Sequence, residues 1–215
     1  MKVIILLGRQ GCGKGTQALR LAEEFGFSSI GSGELLRRFY EGTHFSARKT
    51  KEVLNNGGYL PTALIFWLWM DILEEFKQQE SLKGLLFDGS PRKLLEAELI
   101  DQALDWYEWK NLLVILINIS RKEAFDRLIK RRMCEACGRV MFWSEETEKL
   151  TQCKFCGGKL IKRADDTPEA INSRLDLFEK ETLPVIEYYR KKGLLREVNG
   201  ERSIEEVYNE IKSKI

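Results

Sequence analysis

The sequence of 215 residues predicts an α/β fold, in which a parallel sheet carries helices on both faces. Short apolar runs end in glycine, aspartate or a polar residue, and amphipathic stretches follow them. Apolar runs without alternation are typical of strands that are buried on both faces. Strands that alternate with helices indicate parallel pairing. We therefore expect one core domain with room for small insertions.

Five segments are expected to form the strands of this sheet. They are Val3–Leu7, Ser28–Ile30, Leu85–Phe87, Leu112–Ile119 and Leu194–Val198.

Helix signals lie between these segments. Ser120 is followed three residues later by Glu123, which predicts a capping box at a helix N-terminus. The Thr167-Pro168 pair opens a long helix, and Pro184 is expected to kink or break it.

Two segments interrupt the pattern. Residues 32–61 are polar and helix-like, and residues 133–163 combine short alternating pieces with four cysteines. We predict that both are insertions in a core domain made of residues 1–31, 62–132 and 164–215.

Composition excludes several classes of protein. The net charge is +2, from 35 basic and 33 acidic residues, so we expect no nucleic-acid or membrane partner. The N-terminal apolar run is too short for a signal peptide, and no window reaches the ~20 apolar residues of a membrane helix. A cytoplasmic protein with reduced cysteines is expected.

The segment from Gly8 to Lys14 fits the pattern GxxxxGK, between a predicted strand and a predicted helix. Its glycines let main-chain N–H groups converge on an anion, and the helix N-terminus adds partial positive charge. Lys14 is placed to reach the outer phosphates. The segment therefore predicts a phosphate loop that holds a nucleoside triphosphate.

Gly15 follows Lys14 where the general pattern has serine or threonine, and Thr16 comes next. This GKGT form resembles the adenylate kinase family, and the resemblance runs from end to end. Its further motifs are Ser32-Gly33-Glu34-Leu35-Leu36-Arg37, Asp88-Gly89-Ser90-Pro91-Arg92, Arg127–Arg132, Arg163-Ala164-Asp165-Asp166 and Arg174.

The resemblance implies a fold and an activity. The fold is that of P-loop NTPases, a five-stranded parallel sheet flanked by helices, with a small helical NMP-binding insertion at 32–61 and a small zinc-bearing β lid at 133–163. The activity is reversible, Mg²⁺-dependent phosphoryl transfer from ATP to AMP, which gives two ADP. A cytoplasmic monomer is expected.

The resemblance also implies the roles of individual residues. Those implied to bind ATP are Gly11, Cys12, Gly13, Lys14, Gly15, Thr16, Arg127, Arg131, Val140, Met141 and Arg202. Those implied to bind AMP are Ser32, Gly33, Arg37, Tyr59, Leu60, Pro61, Gly89, Ser90, Pro91, Arg92, Glu96, Arg163 and Arg174. The implied catalytic residues are Lys14, Arg92, Arg131, Arg163 and Arg174, and Asp88 is implied to orient water on Mg²⁺.

A single arginine is most often a solvated surface charge, and the family pattern is what singles these out. The chemistry of the implied reaction accounts for them. Two phosphorylated substrates that meet end to end need a cage of cations, and the planar guanidinium matches phosphate. Arg127 and Arg131 lie four positions apart and so project from one side of a helix. No general base is required, because the acceptor is a phosphate oxygen whose second pKa is about 6.

Four cysteines predict a structural metal site. Cys134 and Cys137 form one C-x₂-C pair, and Cys153 and Cys156 form a second pair fifteen residues later. This is the spacing of a tetrahedral zinc site with four thiolates and no open position.

The acceptor base pocket departs from the family pattern. Ser90 stands where the family has phenylalanine, and Glu96 stands where it has a glutamine that reads adenine. An ionised glutamate offers only acceptors, which would suit the N1–H and N2–H₂ edge of guanine. A kinase of the same fold with another acceptor, GMP above all, is therefore the alternative.

A second class stays open, a zinc-ribbon module that binds nucleic acid or protein beside a vestigial nucleotide fold. It predicts a basic, aromatic-rich lid. The mixed charge of the lid, with Glu135, Glu145, Glu146 and Glu148 among its basic residues, argues against it.

Overall fold

The computed structural model describes residues 1–79, 81–141 and 150–215, and it contains the predicted parallel sheet. Its strands are β1 (Lys2–Leu7), β2 (Ser28–Gly31), β3 (Gly84–Asp88), β4 (Asn111–Asn118) and β8 (Leu195–Asn199). They pair in parallel in the order β2-β3-β1-β4-β8. All five predicted strands are confirmed, with ends that differ by about one residue.

Helices connect the strands. They are α1 (Lys14–Phe25), α2 (Ser32–Tyr40), α3 (Phe45–Asn55), α4 (Thr62–Lys77), α5 (Leu94–Trp106), α6 (Arg121–Lys130), α7 (Pro168–Leu177), α8 (Leu183–Lys191) and α9 (Ile204–Lys212).

The central strand shows why the sheet is buried on both faces. Val3, Ile5 and Leu7 of β1 belong to one hydrophobic cluster, whereas Ile4 and Leu6 belong to another. Since side chains alternate across a strand, the two clusters lie on opposite faces of the sheet. An unbroken apolar run is the consequence of this double coverage.

A second, smaller sheet is formed by the segment predicted as an insertion, residues 133–163, together with the preceding residue, Arg132. Its antiparallel strands are β5 (Arg132–Cys134), β6 (Val140–Met141) and β7 (Leu160–Ile161), in the order β6-β5-β7. The predicted short strands are therefore present. Three of the acidic residues that argue against nucleic-acid binding, Glu145, Glu146 and Glu148, lie outside the described residues.

The predicted capping box of α6 is wrong in one half. Ser120 Oγ accepts a hydrogen bond from the Glu123 N–H at 3.3 Å, as predicted. The Glu123 carboxylate instead accepts from Arg127 Nε at 2.6 Å, and the Ser120 N–H donates to Glu201 at 2.8 Å. A stronger, charged donor has replaced the main-chain N–H as the partner of Glu123.

The long helix that begins at Pro168 does break, but before Pro184. Thr167 Oγ1 caps α7 by accepting from the Ala170 N–H at 3.2 Å. The residues Phe178–Thr182 then form a π-helical turn, which separates α7 from α8. Such turns are often found at functional sites.

Within the described residues, no helix is both long enough and apolar enough to cross a membrane.

Candidate active site

The phosphate loop joins β1 to α1 at the carboxyl edge of the sheet. Gly8 has φ 146°, and a Cβ there would lie 2.4 Å from the carbonyl oxygen of Ile117 on β4. Glycine is therefore required where the loop leaves β1. Lys14 Nζ curls over the loop and donates to the carbonyl oxygens of Gly8 at 2.6 Å and Arg9 at 3.0 Å. Its ammonium is thus held at the mouth of the loop.

Asp88 ends β3 beside this loop. In the sheet, Asp88 pairs with Leu6 of the neighbouring strand β1, two residues before the loop begins at Gly8. A Cβ at Gly15 would lie 3.2 Å from Asp88 Oδ2, so glycine in this position of the GKGT sequence lets the carboxylate approach α1. Burial raises the pKa of Asp88, although the charges of Lys14, Arg92 and Arg37 oppose the shift.

Three of the predicted arginines gather around two aspartates at the start of α7. Arg131 Nε and Nη2 donate to the two carboxylate oxygens of Asp166 at 2.7 and 2.6 Å. Arg174 Nη2 donates to Asp166 Oδ1 at 2.8 Å, and its Nη1 donates to Asp165 Oδ2 at 3.2 Å. Arg163 Nε lies 3.2 Å from Asp165 Oδ1. These contacts hold three buried or largely buried cations in one place.

The electrostatics of this cluster favour an anionic ligand. Burial lowers the pKa of Arg163 to about 10, and the positive charges of Arg131 and Arg37 add to this effect. Burial alone would raise the pKa of Asp166, but hydrogen bonds and charge from Arg131 and Arg174 lower it below the ordinary value. Cations that repel one another in a cleft are suited to an anionic ligand such as phosphate.

Arg37 and Arg92 both lie near enough to Asp88 for their charges to act on it. The Arg92 side chain is fixed by a bond from its Nε to the carbonyl oxygen of Gly89 at 2.7 Å. Ser32, buried at the start of α2, donates from Oγ to the carbonyl oxygen of Asp88 at 3.2 Å. Gly89 has φ 78°, and a Cβ there would meet Ser32 Oγ at 2.8 Å. The structure therefore packs α2 directly against the turn that follows β3.

A recess beside this turn contains the predicted acceptor pocket. Polar and apolar residues both line it: Ser32, Ser90, Arg92 and Glu96, with Leu36, Leu54, Leu60 and Ile65. Glu96 is 3% exposed, and one of its carboxylate oxygens, Oε2, accepts from the Arg92 N–H at 2.7 Å. Burial raises the pKa of Glu96, against the opposing influence of Arg92 and Lys93.

The main chain between Gly58 and Pro61 borders the same recess. Lys93 Nζ donates to the carbonyl oxygen of Leu60 at 2.8 Å, and Pro61 precedes the first residue of α4. Gly33 lies against Arg37, whose Nη1 would be 3.4 Å from an added Cβ.

The residues predicted to lie beside the adenine of ATP surround the last turn of α6, which carries Arg127. Arg127 Nη1 donates to the carbonyl oxygen of Gly200 at 3.0 Å, so Arg127 borders the loop that carries Arg202. Arg202 turns its side chain away towards Glu210, at 3.4 Å. Met141 buries its side chain with the cysteines of the small sheet, and the neighbouring Val140 is half-buried.

The four predicted cysteines converge on one point. Their Sγ atoms all lie within 4.8 Å of one another. Cys134 and Cys156 are 3.4 Å apart, and Cys137 and Cys153 are 3.7 Å apart. Tetrahedral Zn–S bonds of about 2.3 Å require sulfurs about 3.8 Å apart, so the cluster fits zinc.

Sequence reasoning missed three groups that border the site. Arg9 and Gln10, inside the phosphate loop, both make side-chain contacts outside it, and Thr182 in the π-helical turn contacts Arg92. Arg9 and Gln10 occupy variable positions of the GxxxxGK pattern, and Thr182 belongs to no motif, so the sequence did not single out any of the three. The one histidine of the sequence, His44, lies at the N-terminus of α3, where its Nδ1 accepts from the Ala47 N–H at 3.2 Å.

The fold and the cations at its carboxyl edge are those of a P-loop kinase that acts on nucleoside monophosphates. The sequence profile described as Adenylate kinase matches residues 6–194. An adenylate kinase of Caldanaerobacter subterraneus subsp. tengcongensis is 36% identical over 213 residues, which cover 99% of this chain and 95% of that protein. The chain belongs to the adenylate kinase family.

Relatives from archaea are equally similar. The adenylate kinase of Archaeoglobus fulgidus is 36% identical and covers 98% of this chain, with 96% of its own length matched. That of Methanocella arvoryzae is 37% identical and covers 98% of this chain, with 97% of its own length matched. The resemblance drawn from the motifs is thereby confirmed, and the zinc-ribbon alternative is not supported.

Proposed function

We propose that the protein transfers the γ-phosphoryl group of MgATP reversibly to AMP and so forms two ADP. The observation that carries the proposal is the position of Arg163. Its Nε lies 3.2 Å from Asp165, in the aspartate pair that also accepts from Arg131 and Arg174. Burial and the charges of Arg131, at the C-cap of α6, and of Arg37 in α2 lower its pKa, so cations from several elements act on one point. That point is where the tails of two nucleotides would meet.

The proposed roles are those that the family resemblance implies. Lys14 and the loop N–H groups bind the β- and γ-phosphates, and Arg37 and Arg92 bind the acceptor phosphate. Arg131, Arg163 and Arg174 neutralise the group in transfer. In this arrangement the protein aligns two anions and stabilises charge, and no side chain has to remove a proton.

On the ATP side, Gly11, Cys12, Gly13, Gly15 and Thr16 form the loop and the start of α1. Arg127 is proposed to stack on the base, with the main chains of Arg202 and Met141 and with Val140 beside it.

The residues also fit the two metals that the family implies. Zinc would be held by the four cysteines and would stabilise the small sheet, whose described residues form only a small hydrophobic cluster. Mg²⁺ would arrive with ATP, and the carboxylate of Asp88 beside the loop offers the hard oxygen that this ion prefers. When bound, Mg²⁺ neutralises phosphate charge during transfer.

The division into a core, an NMP-binding insertion and a lid stays a proposal. Residues 32–61 and 133–163 would close over the substrates and exclude water from the reaction. We further propose that the enzyme acts as a cytoplasmic monomer.

An acceptor panel tests the proposed function. ADP formation is measured with MgATP and each of AMP, GMP, CMP and UMP, with a Lys14→Met variant as the control for contaminating kinases. AMP is expected to give the highest kcat/KM. A higher value with GMP would make the Glu96 carboxylate, rather than the family pattern, decide the acceptor, and no activity with any acceptor would refute the proposal.

A further inference from the structure

Tyr59 connects three parts of the site. Its hydroxyl accepts a hydrogen bond from Gln10 Nε2 of the phosphate loop at 3.2 Å and lies 3.5 Å from Thr182 Oγ1 of the π-helical turn. Its ring lies beneath the guanidinium of Arg92, with 5.2 Å between Cζ and the ring centroid. One side chain thus touches the ATP side, the acceptor side and the core at once.

The donor in each of these hydrogen bonds follows from the single hydrogen atom that each hydroxyl carries. Thr182 Oγ1 donates its one hydrogen to the carbonyl oxygen of Arg92, at 3.0 Å. It must therefore accept from Tyr59, whose hydroxyl in turn accepts from Gln10. The result is a directed chain from the Gln10 amide through Tyr59 and Thr182 to the main chain of Arg92.

Three hydrogen bonds hold Arg92, the last residue of this hydrogen-bonded chain. The Arg92 carbonyl oxygen accepts from Thr182, its N–H donates to Glu96 at 2.7 Å, and its Nε donates to the Gly89 carbonyl oxygen at 2.7 Å. Thr182 itself is 4% exposed. The guanidinium of Arg92 is therefore fixed relative to a buried anchor, and Tyr59 extends that anchor to the loop.

The π-helical turn receives a second contact from the loop. Arg9, the neighbour of Gln10, lies over the ring of Phe178 with 4.9 Å between Cζ and the centroid. Its Nη2 lies 3.7 Å from Glu179 Oε1. Two successive loop residues are thus directed towards one turn, directly or through Tyr59.

We propose that Gln10, Tyr59 and Thr182 are positioning residues that set the distance and angle between the phosphate loop and Arg92. The proposal deepens the proposed function and rests on it. Gln10 and Thr182 would align the two phosphate tails without binding either nucleotide, and Tyr59, which the resemblance places beside AMP, would contribute its hydroxyl to the same alignment. Their loss should therefore lower kcat more than it raises KM for ATP, because a misplacement of about 1 Å can cost as much as 10²-fold in rate.

The test compares Tyr59→Phe, Gln10→Ala, the double variant and two Thr182 variants. Tyr59→Phe keeps the ring beneath Arg92 and removes only the hydroxyl. Thr182→Val removes the hydroxyl at nearly constant volume, and Thr182→Ser restores it. Controls are Tyr188→Phe, which loses a hydroxyl that donates to Asp101 at 2.8 Å, and Gln78→Ala at the exposed end of α4.

The expected result is a fall in kcat of about 10- to 100-fold for Tyr59→Phe and Thr182→Val, with KM for ATP changed by less than about threefold. Thr182→Ser and both controls should keep kcat near that of the wild type. The Gln10→Ala, Tyr59→Phe double variant should be no slower than the slower single variant, because both remove the same link.

Three results would overturn the proposal. They are an unchanged kcat in Tyr59→Phe and Thr182→Val, effects of Gln10→Ala and Tyr59→Phe that multiply in the double variant, and a loss in Thr182→Ser equal to that in Thr182→Val. Circular dichroism and Tm measurements establish that each variant folds. An inactive wild type would instead refute the proposed function, so the two failures are distinguishable.

Discussion

Glu96 and Asp166 show how the environment, and not residue type, sets the charge of a carboxyl group. Glu96 is buried in the acceptor recess, and burial raises its pKa. Asp166 is also buried, yet the two guanidiniums that donate to it lower its pKa. Glu96 is therefore suited to bind adenine in its protonated form, in which a hydroxyl can donate to N1 of the base.

This argument predicts a pH dependence for AMP. As pH rises through the raised pKa of Glu96, the carboxyl group loses the proton that adenine needs, and kcat/KM for AMP should fall by roughly tenfold, the equivalent of one buried hydrogen bond. In Glu96→Gln the amide keeps a donor at every pH, so the fall should be absent.

The measurement is kcat/KM for AMP from pH 5 to 9 in both proteins. AMP itself titrates with a pKa of about 6, but the ratio of wild type to Glu96→Gln cancels this effect. A ratio that does not change with pH would show that Glu96 stays in one ionisation state, and the account of the acceptor pocket would be wrong.

The sequence proposes residues for the site but not their partners. The motifs located Lys14, Asp88 and the arginines. The hydrogen bond from Arg92 to Glu96 and the contact between Gln10 and Tyr59 depend on side chains brought together by folding, and no spacing in the chain encodes them.

At the scale of elements, local signals predicted β1, β3 and β4 most directly, because each contains an apolar run with a clear end. The same signals failed where tertiary partners compete. Arg127 withdraws Glu123 from the cap of α6, and the break between α7 and α8 takes the form of a π-helical turn. The turn places Thr182 against Arg92, so this local irregularity has a use in the site.

The small sheet gives a prediction about metal removal. Among its described residues, the buried hydrophobic cluster consists of two of the cysteines and Met141, with Leu160 packed against them. Zinc must therefore supply much of its folding energy. We expect one zinc per chain in the wild type, and loss of zinc in Cys153→Ser or after treatment with a strong chelator.

Loss of the metal should also lower Tm, since about 2 kcal/mol corresponds to roughly 4–8 °C in a chain of this size. Metal content is measured by elemental analysis and Tm by calorimetry. Cys12→Ser is the matched control for metal content, because Cys12 is buried near Lys14 in the phosphate loop and not in the cysteine cluster. Equal zinc in Cys153→Ser and the wild type would contradict the assignment of the site.

At the scale of the whole molecule, the charged groups of the site lie together at the carboxyl edge of the parallel sheet. The carboxyl ends of parallel strands lie together, which places the loop after β1 and Asp88 of β3 side by side. Arginines then arrive from α2, α6 and α7 and from the turn before α5. The five-stranded parallel sheet and the separate small sheet were expected from the family resemblance, whereas the strand order and the convergence of Arg37, Arg131 and Arg163 required the fold.

The central claim is that these cations align two nucleotide tails for phosphoryl transfer. Its most direct measurement is the rate of ADP formation from MgATP and AMP in the wild type, Lys14→Met and Arg92→Ala, with Arg190→Ala on the exposed side of α8 as the control. Both site variants should fold, and each should lose about 10³- to 10⁵-fold in kcat, the range that such groups contribute. A folded Arg92→Ala enzyme with the activity of the wild type would contradict the account.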